Sequence, residues 1–178
     1  GRYCILCKVM RLLGTIWVHM FRGCFTSKEK LYKKYGRPGS YAMVTGGSDG
    51  IGLEMCHNLA KQGWNIMMVS RNENKMQQKL EEIKKDCGKD IECKYIVADF
   101  GKLQTMAEYR ETFEFPCKDL DIGLVICNAG YGDAFKIVDT PDDYWEGSMK
   151  INVLHVDYVM KSMSEQLWKR DVRSAMII

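Results

Sequence analysis

The stretch Tyr41-Ala42-Met43-Val44-Thr45-Gly46-Gly47-Ser48-Asp49-Gly50-Ile51-Gly52 decides the fold of this chain. An apolar run is followed by four glycines within seven positions and then by an amphipathic segment, an order that predicts strand, tight turn and helix. Gly46, Gly50 and Gly52 allow positive φ and a close approach to a pyrophosphate, and the next helix offers unpaired N–H groups. The spacing G-x-x-x-G-x-G differs from the most familiar dinucleotide-binding turn. It predicts a phosphate-binding turn, and a flexible loop before a helix is the alternative.

Composition indicates one globular domain with a basic N-terminal extension. The chain has 178 residues, of which 46% are hydrophobic, enough for the core of one ordinary domain. Residues 1–40 hold nine Lys/Arg and one acid, whereas residues 41–178 hold 17 Lys/Arg and 22 acids. We therefore expect a basic arm and connector over residues 1–40 and an acidic α/β domain over residues 41–178.

The eight cysteines indicate reduced thiols rather than a disulfide framework, because a chain of this length can build a core without disulfides. Cys4-x-x-Cys7 has no second Cys/His pair at zinc-ligand spacing, so no metal site is expected.

Residues 3–26 have the pattern of a basic amphipathic helix. Lys8, Arg11 and Arg22 fall on one narrow arc with other polar residues, and leucines, Trp17 and Phe21 cover the remaining surface. The charges disfavour a membrane-spanning segment. A helix lying on a membrane surface or packing against a partner subunit fits better, and an extra helix covering one edge of the domain is the alternative. An Arg-rich, acid-poor N-terminus also resembles a mitochondrial targeting sequence.

Beyond this arm, strand and helix patterns alternate. A basic connector over residues 27–39 ends in turn residues. The predicted strands are Tyr41–Thr45, Trp64–Ser70, Ile91–Asp99, Ile122–Cys127 and Arg173–Ile178; the predicted helices are Ile51–Gln62, Glu73 to about Lys85, Leu103–Phe113 and Asp142 to about Lys169. This alternation predicts a Rossmann-type, doubly wound parallel α/β sheet with helices on both faces.

Ligands of such sheets bind beyond the carboxyl ends of the strands, so the residues that end each strand are candidates. Strand two ends at Ser70-Arg71-Asn72, where a guanidinium could bind the 2′-phosphate of NADP(H) and no carboxylate is present for the ribose of NAD. Strand three ends at Asp99-Phe100. The Asp99 carboxylate could accept a hydrogen bond from the adenine amino group of the cofactor, and the alternative is that it caps the N-terminus of the next helix. Strand four ends at Asn128-Ala129-Gly130. These small and amide residues are expected beside the cofactor, and a simple turn without a ligand is the alternative.

Together these residues resemble the short-chain dehydrogenase/reductases. The resemblance rests on Thr45-Gly46-x-x-x-Gly50-Ile51-Gly52, Asp99, Asn128-Ala129-Gly130 and Asn152, which occur in the order and at the spacings of that family over about residues 36–178. KKYGRPGSYAMVTGGSDGIG, VSRN and VADF look most like the membrane-bound branch of very-long-chain 3-oxoacyl-CoA reductases, 17β-hydroxysteroid dehydrogenase type 12 and the inactive-type hydroxysteroid dehydrogenase-like proteins. That branch carries a hydrophobic N-terminal anchor, consistent with residues 3–26.

The resemblance implies a role for each matching residue. Gly46, Ser48, Asp49, Gly50, Ile51 and Gly52 would bind the pyrophosphate, Arg71 with Asn72 the 2′-phosphate region, Asp99 with Phe100 the adenine region, and Asn128, Ala129 and Gly130 the adenosine ribose region of NADP(H). Asn152 would hold a water in the proton relay, the only catalytic role that can be carried over.

The family's catalytic Ser and Tyr-x-x-x-Lys have no suitable match in these residues. We therefore expect the cofactor-binding half of an NADPH-dependent reductase of 3-oxoacyl-CoA or ketosteroid substrates, C-terminally truncated because Met176-Ile177-Ile178 ends in mid-strand. The alternative is a catalytically inactive structural subunit of a membrane assembly, in the endoplasmic reticulum or the mitochondrion. No nucleic-acid partner is expected, since the basic residues accompany no RNA- or DNA-binding motif.

Overall fold

The computed structural model describes residues 31–88, 90–133 and 136–178. The predicted amphipathic helix over residues 3–26 and the Cys4/Cys7 pair lie outside the described residues. Among the described residues, no helix has both the length and the apolar character needed to cross a membrane.

The core of the fold is a parallel sheet of five strands in the order β3-β2-β1-β4-β5. The strands are β1 Tyr41–Thr45, β2 Asn65–Ser70, β3 Cys93–Val97, β4 Ile122–Ile126 and β5 Ala175–Ile177. The order runs outward from β1 in one direction as far as β3 and then in the other direction from β4. This reversal next to β1 is the point at which such sheets bind ligands.

The described residues form five helices, of which the first precedes β1 and the other four connect successive strands. They are α1 Leu31–Tyr35, α2 Gly50–Ala60, α3 Glu73–Cys87, α4 with its segments Met106–Tyr109, Arg110–Glu114 and Phe115–Cys117, and α5 with its segments Asp142–Met149, Lys150–Leu154 and His155–Trp168. The middle segments of α4 and α5 are π-helical, and a short 3-10 turn occupies Ile137–Asp139.

Helices cover both faces of the sheet. Met43 and Val125 point to the face covered by α4 and α5, whereas Val44 and Leu124 point to the face covered by α2 and α3. Every residue of β1 and β4 is buried, as expected for central strands enclosed on two sides. The predicted doubly wound parallel sheet is confirmed.

Several element boundaries differ from the sequence prediction by one to four residues, among them both ends of β3 and of β5, and two differences have an identifiable cause. The predicted connector contains α1, where the ring of Tyr32 packs edge-on against buried Trp64 with centroids 5.4 Å apart. The helix predicted from Leu103 begins at Met106, because Thr105 forms a capping box with Glu108 in which each side chain accepts from the backbone of the other residue.

An ionic cluster centred on Asp121 joins both ends of the described chain to the start of β4. Arg37 and Arg170 each donate two hydrogen bonds to the Asp121 carboxylate, at 2.9–3.1 Å, and the Ser40 hydroxyl donates a fifth. Burial would raise the pKa of Asp121, but these hydrogen bonds outweigh it and hold that pKa at about 2. The cluster therefore fixes the edge of the sheet opposite the carboxyl ends of the strands.

We predict that Asp121→Asn lowers the free energy of unfolding by about 3 kcal/mol at neutral pH, because the buried Arg170 side chain loses its carboxylate partner. A carboxylate whose pKa is depressed contributes stability above its unfolded pKa of 3.8 and loses that contribution as the pH falls towards about 2. Urea unfolding should therefore show the difference between variant and parent shrinking across this range.

Asp171→Asn is the matched control. This carboxylate also pairs with Arg37, at 2.5 Å, but its side chain is 76% exposed, so its removal should change stability by less than about 0.5 kcal/mol. Equal effects of the two substitutions would contradict the role of Asp121.

Candidate functional site

A cleft of about 600 Å³ opens at the carboxyl edge of the sheet, where β1 and β4 meet. This volume lies within the range of small-molecule sites. The cleft is lined by Gly46, Ser48, Asp49, Gly50, Ile51, Ser70, Arg71, Asn72, Lys75, Ala98, Asp99, Phe100, Asn128, Ala129, Gly130, Tyr131 and Ile151. The structure thus brings together all the predicted cofactor residues except Gly52, which is buried beneath the turn.

The glycines of the turn have two different structural roles. Gly46 has φ of 66° and lies against Ala129, while a Cβ on Gly52 would lie 2.3 Å from the Gly46 carbonyl oxygen. These two positions hold the turn close to the loop after β4. Gly50 has φ of 48°, and nothing lies within 4 Å of the place its Cβ would take. Its open surface at the start of α2 leaves room for a ligand to approach the backbone.

Asp49 is the N-cap of α2 and also carries an ion pair. One carboxylate oxygen accepts from the Gly50 N–H at 2.9 Å, and the other lies 2.5 Å from the Lys75 ammonium of α3. The hydrogen bond from Lys75, followed by that from Gly50, lowers the pKa of Asp49. The pair places a cation at the mouth of the cleft and offsets the negative charge of Asp49 there.

The end of β2 supplies hydroxyl, guanidinium and amide groups. The Ser70 hydroxyl lies 2.8 Å from that of Ser48 in the glycine-rich turn, which ties the two loops together. The Arg71 side chain is exposed to the cleft. Asn72 is the N-cap of α3, and its side-chain oxygen accepts from the Lys75 N–H at 3.0 Å. This oxygen is therefore engaged in capping the helix.

Beyond β3, Asp99 and Phe100 form another part of the cleft wall. Asp99 accepts from the Gly101 N–H at 3.1 Å and lies 3.7 Å from the Lys102 ammonium. Phe100 is buried against the rings of Tyr109 and Phe113, so its side chain serves mainly the core.

The loop after β4 is fixed by Thr45, the last residue of β1. The Thr45 hydroxyl accepts from the N–H groups of Asn128 and Ala129, both at 3.0 Å, and the Asn128 side-chain amide donates to the Thr45 carbonyl at 3.1 Å. The remaining contact of the hydroxyl is Nε2 of His155, at 3.1 Å. This wall of the cleft is therefore set by hydrogen bonds rather than by loop packing alone.

Asn152 closes the same loop from the π-helical segment of α5. Its side chain accepts from the Tyr131 N–H at 2.9 Å and donates to the Tyr131 carbonyl at 2.6 Å and to the Ser148 hydroxyl at 2.9 Å. Asn152 is thus adjacent to the cleft without lining it. Its part in a proton relay stays a prediction.

Lys75, Thr45 and His155 are the site residues to which sequence reasoning assigned no role. The Lys75 side chain projects from the first turn of α3. Its position in the helical pattern indicates a surface residue and does not predict an ion pair with Asp49. His155 lies on the buried side of α5 with no exposed surface, so the periodicity of that helix indicates only a core position. In the part of the chain that the structure describes, no cluster of three or more potential metal ligands occurs.

The chemistry available in the cleft suits a phosphate-bearing ligand. Cationic side chains, hydroxyls and a helix N-terminus with an open glycine face a common volume with apolar lining from Ala98 and Ile151. A dinucleotide requires these groups in one continuous cleft, and the residues fit that requirement.

Comparison with known proteins agrees with this geometry. The family model described as short chain dehydrogenase matches residues 40–178. A very-long-chain 3-oxoacyl-CoA reductase of Coccidioides immitis is 35% identical over 143 residues, which are 79% of this chain and 40% of that protein. A second, from Ajellomyces capsulatus, is 36% identical over 121 residues, 67% of this chain and 35% of that protein. The chain thus spans about two fifths or less of these relatives.

Solved structures show the same fold. A structure of 7β-hydroxysteroid dehydrogenase, described in connection with its stereoselectivity, superposes with a TM-score of 0.69 at 29% identity, covering 82% of this chain and 52% of that one. A short-chain dehydrogenase from Sphingobium yanoikuyae in complex with NADPH superposes with a TM-score of 0.67 at 18% identity, covering 77% and 52%. The chain belongs to the short-chain dehydrogenase/reductase family of oxidoreductases and groups with its very-long-chain 3-oxoacyl-CoA reductase branch.

Proposed function

We propose that the cleft binds NADP(H) and that this chain supplies the cofactor-binding part of a short-chain reductase. The observation that carries the proposal is the pairing, in one cleft, of the open glycine turn with two cationic side chains from the end of β2 and the start of α3. The family membership supports a nicotinamide cofactor, and the local charges favour its 2′-phosphorylated form.

The glycine turn is the proposed pyrophosphate site. Gly50 and Ile51 begin α2, so the N-terminal N–H groups and the positive end of the helix dipole face the cleft. Because Lys75 neutralises Asp49, the carboxylate beside this site repels a pyrophosphate less than an unpaired one would. Asn128, Ala129 and Gly130 form the opposite wall, which we assign to the ribose.

Arg71 and Lys75 are the proposed 2′-phosphate ligands. Arg71 is exposed at the place where a carboxylate would select the free ribose hydroxyls of NAD(H). Lys75 lies four residues further along, lines the same cleft with its side chain 37% exposed, and adds positive charge beside the phosphate while it stays paired with Asp49. Two cations at this position favour NADPH over NADH.

We predict that Arg71→Ala weakens NADPH binding by about ten- to a hundredfold and changes NADH binding by less than about twofold, because a charge-assisted hydrogen bond to the 2′-phosphate contributes about 1.5–3 kcal/mol. Isothermal titration calorimetry of the chain with each cofactor measures both effects. Lys79→Ala is the matched control, since Lys79 is a cation of the helix α3 that follows Arg71, pairs with Glu82 and does not line the cleft. Equal affinities of the parent chain for NADPH and NADH would refute the assignment.

The substrate class is proposed from the relatives. Two relatives that are 35% and 36% identical to this chain over the aligned residues are named very-long-chain 3-oxoacyl-CoA reductases, which makes a 3-oxoacyl-CoA the first candidate and a ketosteroid the second. Since these 178 residues contain no Tyr-x-x-x-Lys in a suitable place, proton transfer to the carbonyl by the family mechanism is not available to them.

We therefore predict that the 178-residue chain binds NADPH and does not oxidise it when a 3-oxoacyl-CoA or a ketosteroid is added. NADPH absorbance measures turnover and calorimetry measures binding in the same sample. Turnover above the buffer rate would show that another residue of this chain supplies the proton. A chain that binds neither cofactor would favour the alternative role as an inactive structural subunit.

We also propose that residues 3–26 attach the protein to a membrane surface or to a partner subunit of a membrane assembly. The proposal rests on the sequence pattern, since these residues lie outside the described part of the chain. The chain should float with anionic phospholipid vesicles, and replacing Leu13 and Trp17 together by Glu should abolish flotation. Flotation unchanged by the substitutions, or absent from the parent chain, would contradict a membrane-binding role.

A further inference from the structure

His155 is a fully buried titratable residue at the start of the last segment of α5. Its Nδ1 lies 2.5 Å from the Ile151 carbonyl oxygen and its Nε2 lies 3.1 Å from the Thr45 hydroxyl. Its ring also packs on Phe100 with centroids 4.2 Å apart. The residue therefore joins its own helix to β1 and to the residues after β3 directly behind the cleft, and the family resemblance assigned it no role.

The hydrogen bonds fix the tautomer of the ring. The Ile151 carbonyl can only accept, so Nδ1 carries the proton, and Nε2 of the neutral ring accepts from the Thr45 hydroxyl. The Thr45 hydroxyl thus uses its hydrogen for the bond to His155. Its two oxygen lone pairs accept from the N–H groups of Asn128 and Ala129. Every hydrogen-bonding site of the Thr45 hydroxyl is then used.

We infer that His155 is a positioning residue for cofactor binding, which orients the Thr45 hydroxyl and thereby holds the loop after β4 in its binding position. The inference rests on the proposed function, since Asn128 and Ala129 are the residues we assign to the ribose. Beyond that function, the inference makes the position of Asn128 and Ala129 depend on the neutral form of His155.

Protonation of His155 disrupts this arrangement. An imidazolium carries a proton on Nε2 as well, so it can no longer accept from Thr45 and must compete with Asn128 and Ala129 for the lone pairs of the hydroxyl. Burial lowers the pKa of His155, an effect that the Ile151 carbonyl partly opposes. The neutral ring is therefore the form present near pH 7, and the charged form appears only below the ordinary histidine value of about 6.5.

No carboxylate forms a hydrogen bond with the His155 ring among the described residues, because the ring bonds only to Thr45 and Ile151 there. The elements packed against it carry further titratable and charged residues, which include Asp99 and Lys102 after β3, Glu108 and Tyr109 in α4, Cys127 after β4, and Lys150, Asp157 and Tyr158 in α5. Of the carboxylates, Asp99 already accepts from Gly101 and lies near Lys102.

Two substitutions separate positioning from packing. His155→Gln places an amide oxygen that can accept near the position of Nε2 and does not titrate, whereas His155→Leu keeps an apolar group and removes the acceptor. His57→Gln is the control, since His57 is the other histidine among the described residues and lies in α2, away from the cleft lining.

The test is the affinity for NADP⁺, which is stable in acid, measured by calorimetry from about pH 5.5 to about pH 8. We expect the parent and His57→Gln to lose more affinity than His155→Gln as the pH falls below about 6.5, by less than about tenfold at pH 5.5 because burial lowers the pKa of His155, and we expect His155→Leu to bind about tenfold more weakly throughout. Titration of the 2′-phosphate affects all four proteins equally and cancels in the comparison.

A second measurement needs no cofactor. The backbone ¹H–¹⁵N signals of Asn128 and Ala129 should titrate below about pH 6.5 in the parent chain and remain constant in His155→Gln. Identical pH profiles of parent and His155→Gln would overturn the inference even where NADP⁺ binds. Absence of NADP⁺ binding with the expected amide titration would refute the proposed function and leave the positioning role standing.

Discussion

The hydroxyl of Thr45 is the interaction on which the cleft depends. It lies at the end of the central strand β1 and accepts from two consecutive N–H groups of the loop after β4, while its own proton goes to His155. One side chain thereby ties the loop after β4 to the end of β1. A valine at this position would fill a similar volume and leave both half-buried N–H groups without this acceptor.

Close backbone packing supports this hydrogen-bond network. Gly52 lies against the Gly46 carbonyl and the Asn128 side chain, and Gly46 lies against Ala129, so a methyl group at Gly52 would collide with the turn itself. The turn, the first residues of α2 and the loop after β4 are therefore one rigid arrangement, in which only Gly50 has free space beside it. Rigidity here leaves the ligand with little ordering cost for this part of the protein.

The sequence predicted the sheet because hydrophobic runs, turns and amphipathic segments alternate without interruption, and parallel connectivity then leaves few topologies. It also predicted most of the cleft lining, because residues that follow parallel strands gather at one edge. It could not predict that Lys75 reaches back to Asp49 or that His155 reaches Thr45, since these contacts join residues 26 and 110 positions apart. Helix periodicity marks such residues only as surface or core. The start of α4 was missed because the capping box at Thr105 outweighs the apolar character of Leu103.

Asn152 supports the loop after β4 from a local distortion of α5. Its amide binds both main-chain groups of Tyr131, and the π-helical turn around it widens α5 at this point. A π-helical turn adds one residue to a turn of helix, so it shifts the side chains that follow relative to those that precede it. Here the shift separates Ser148 and Asn152, which face the loop, from His155, which faces the core. The same local distortion thus provides the two supports of the loop after β4, one at Tyr131 from the solvent side and one at Thr45 from within the core.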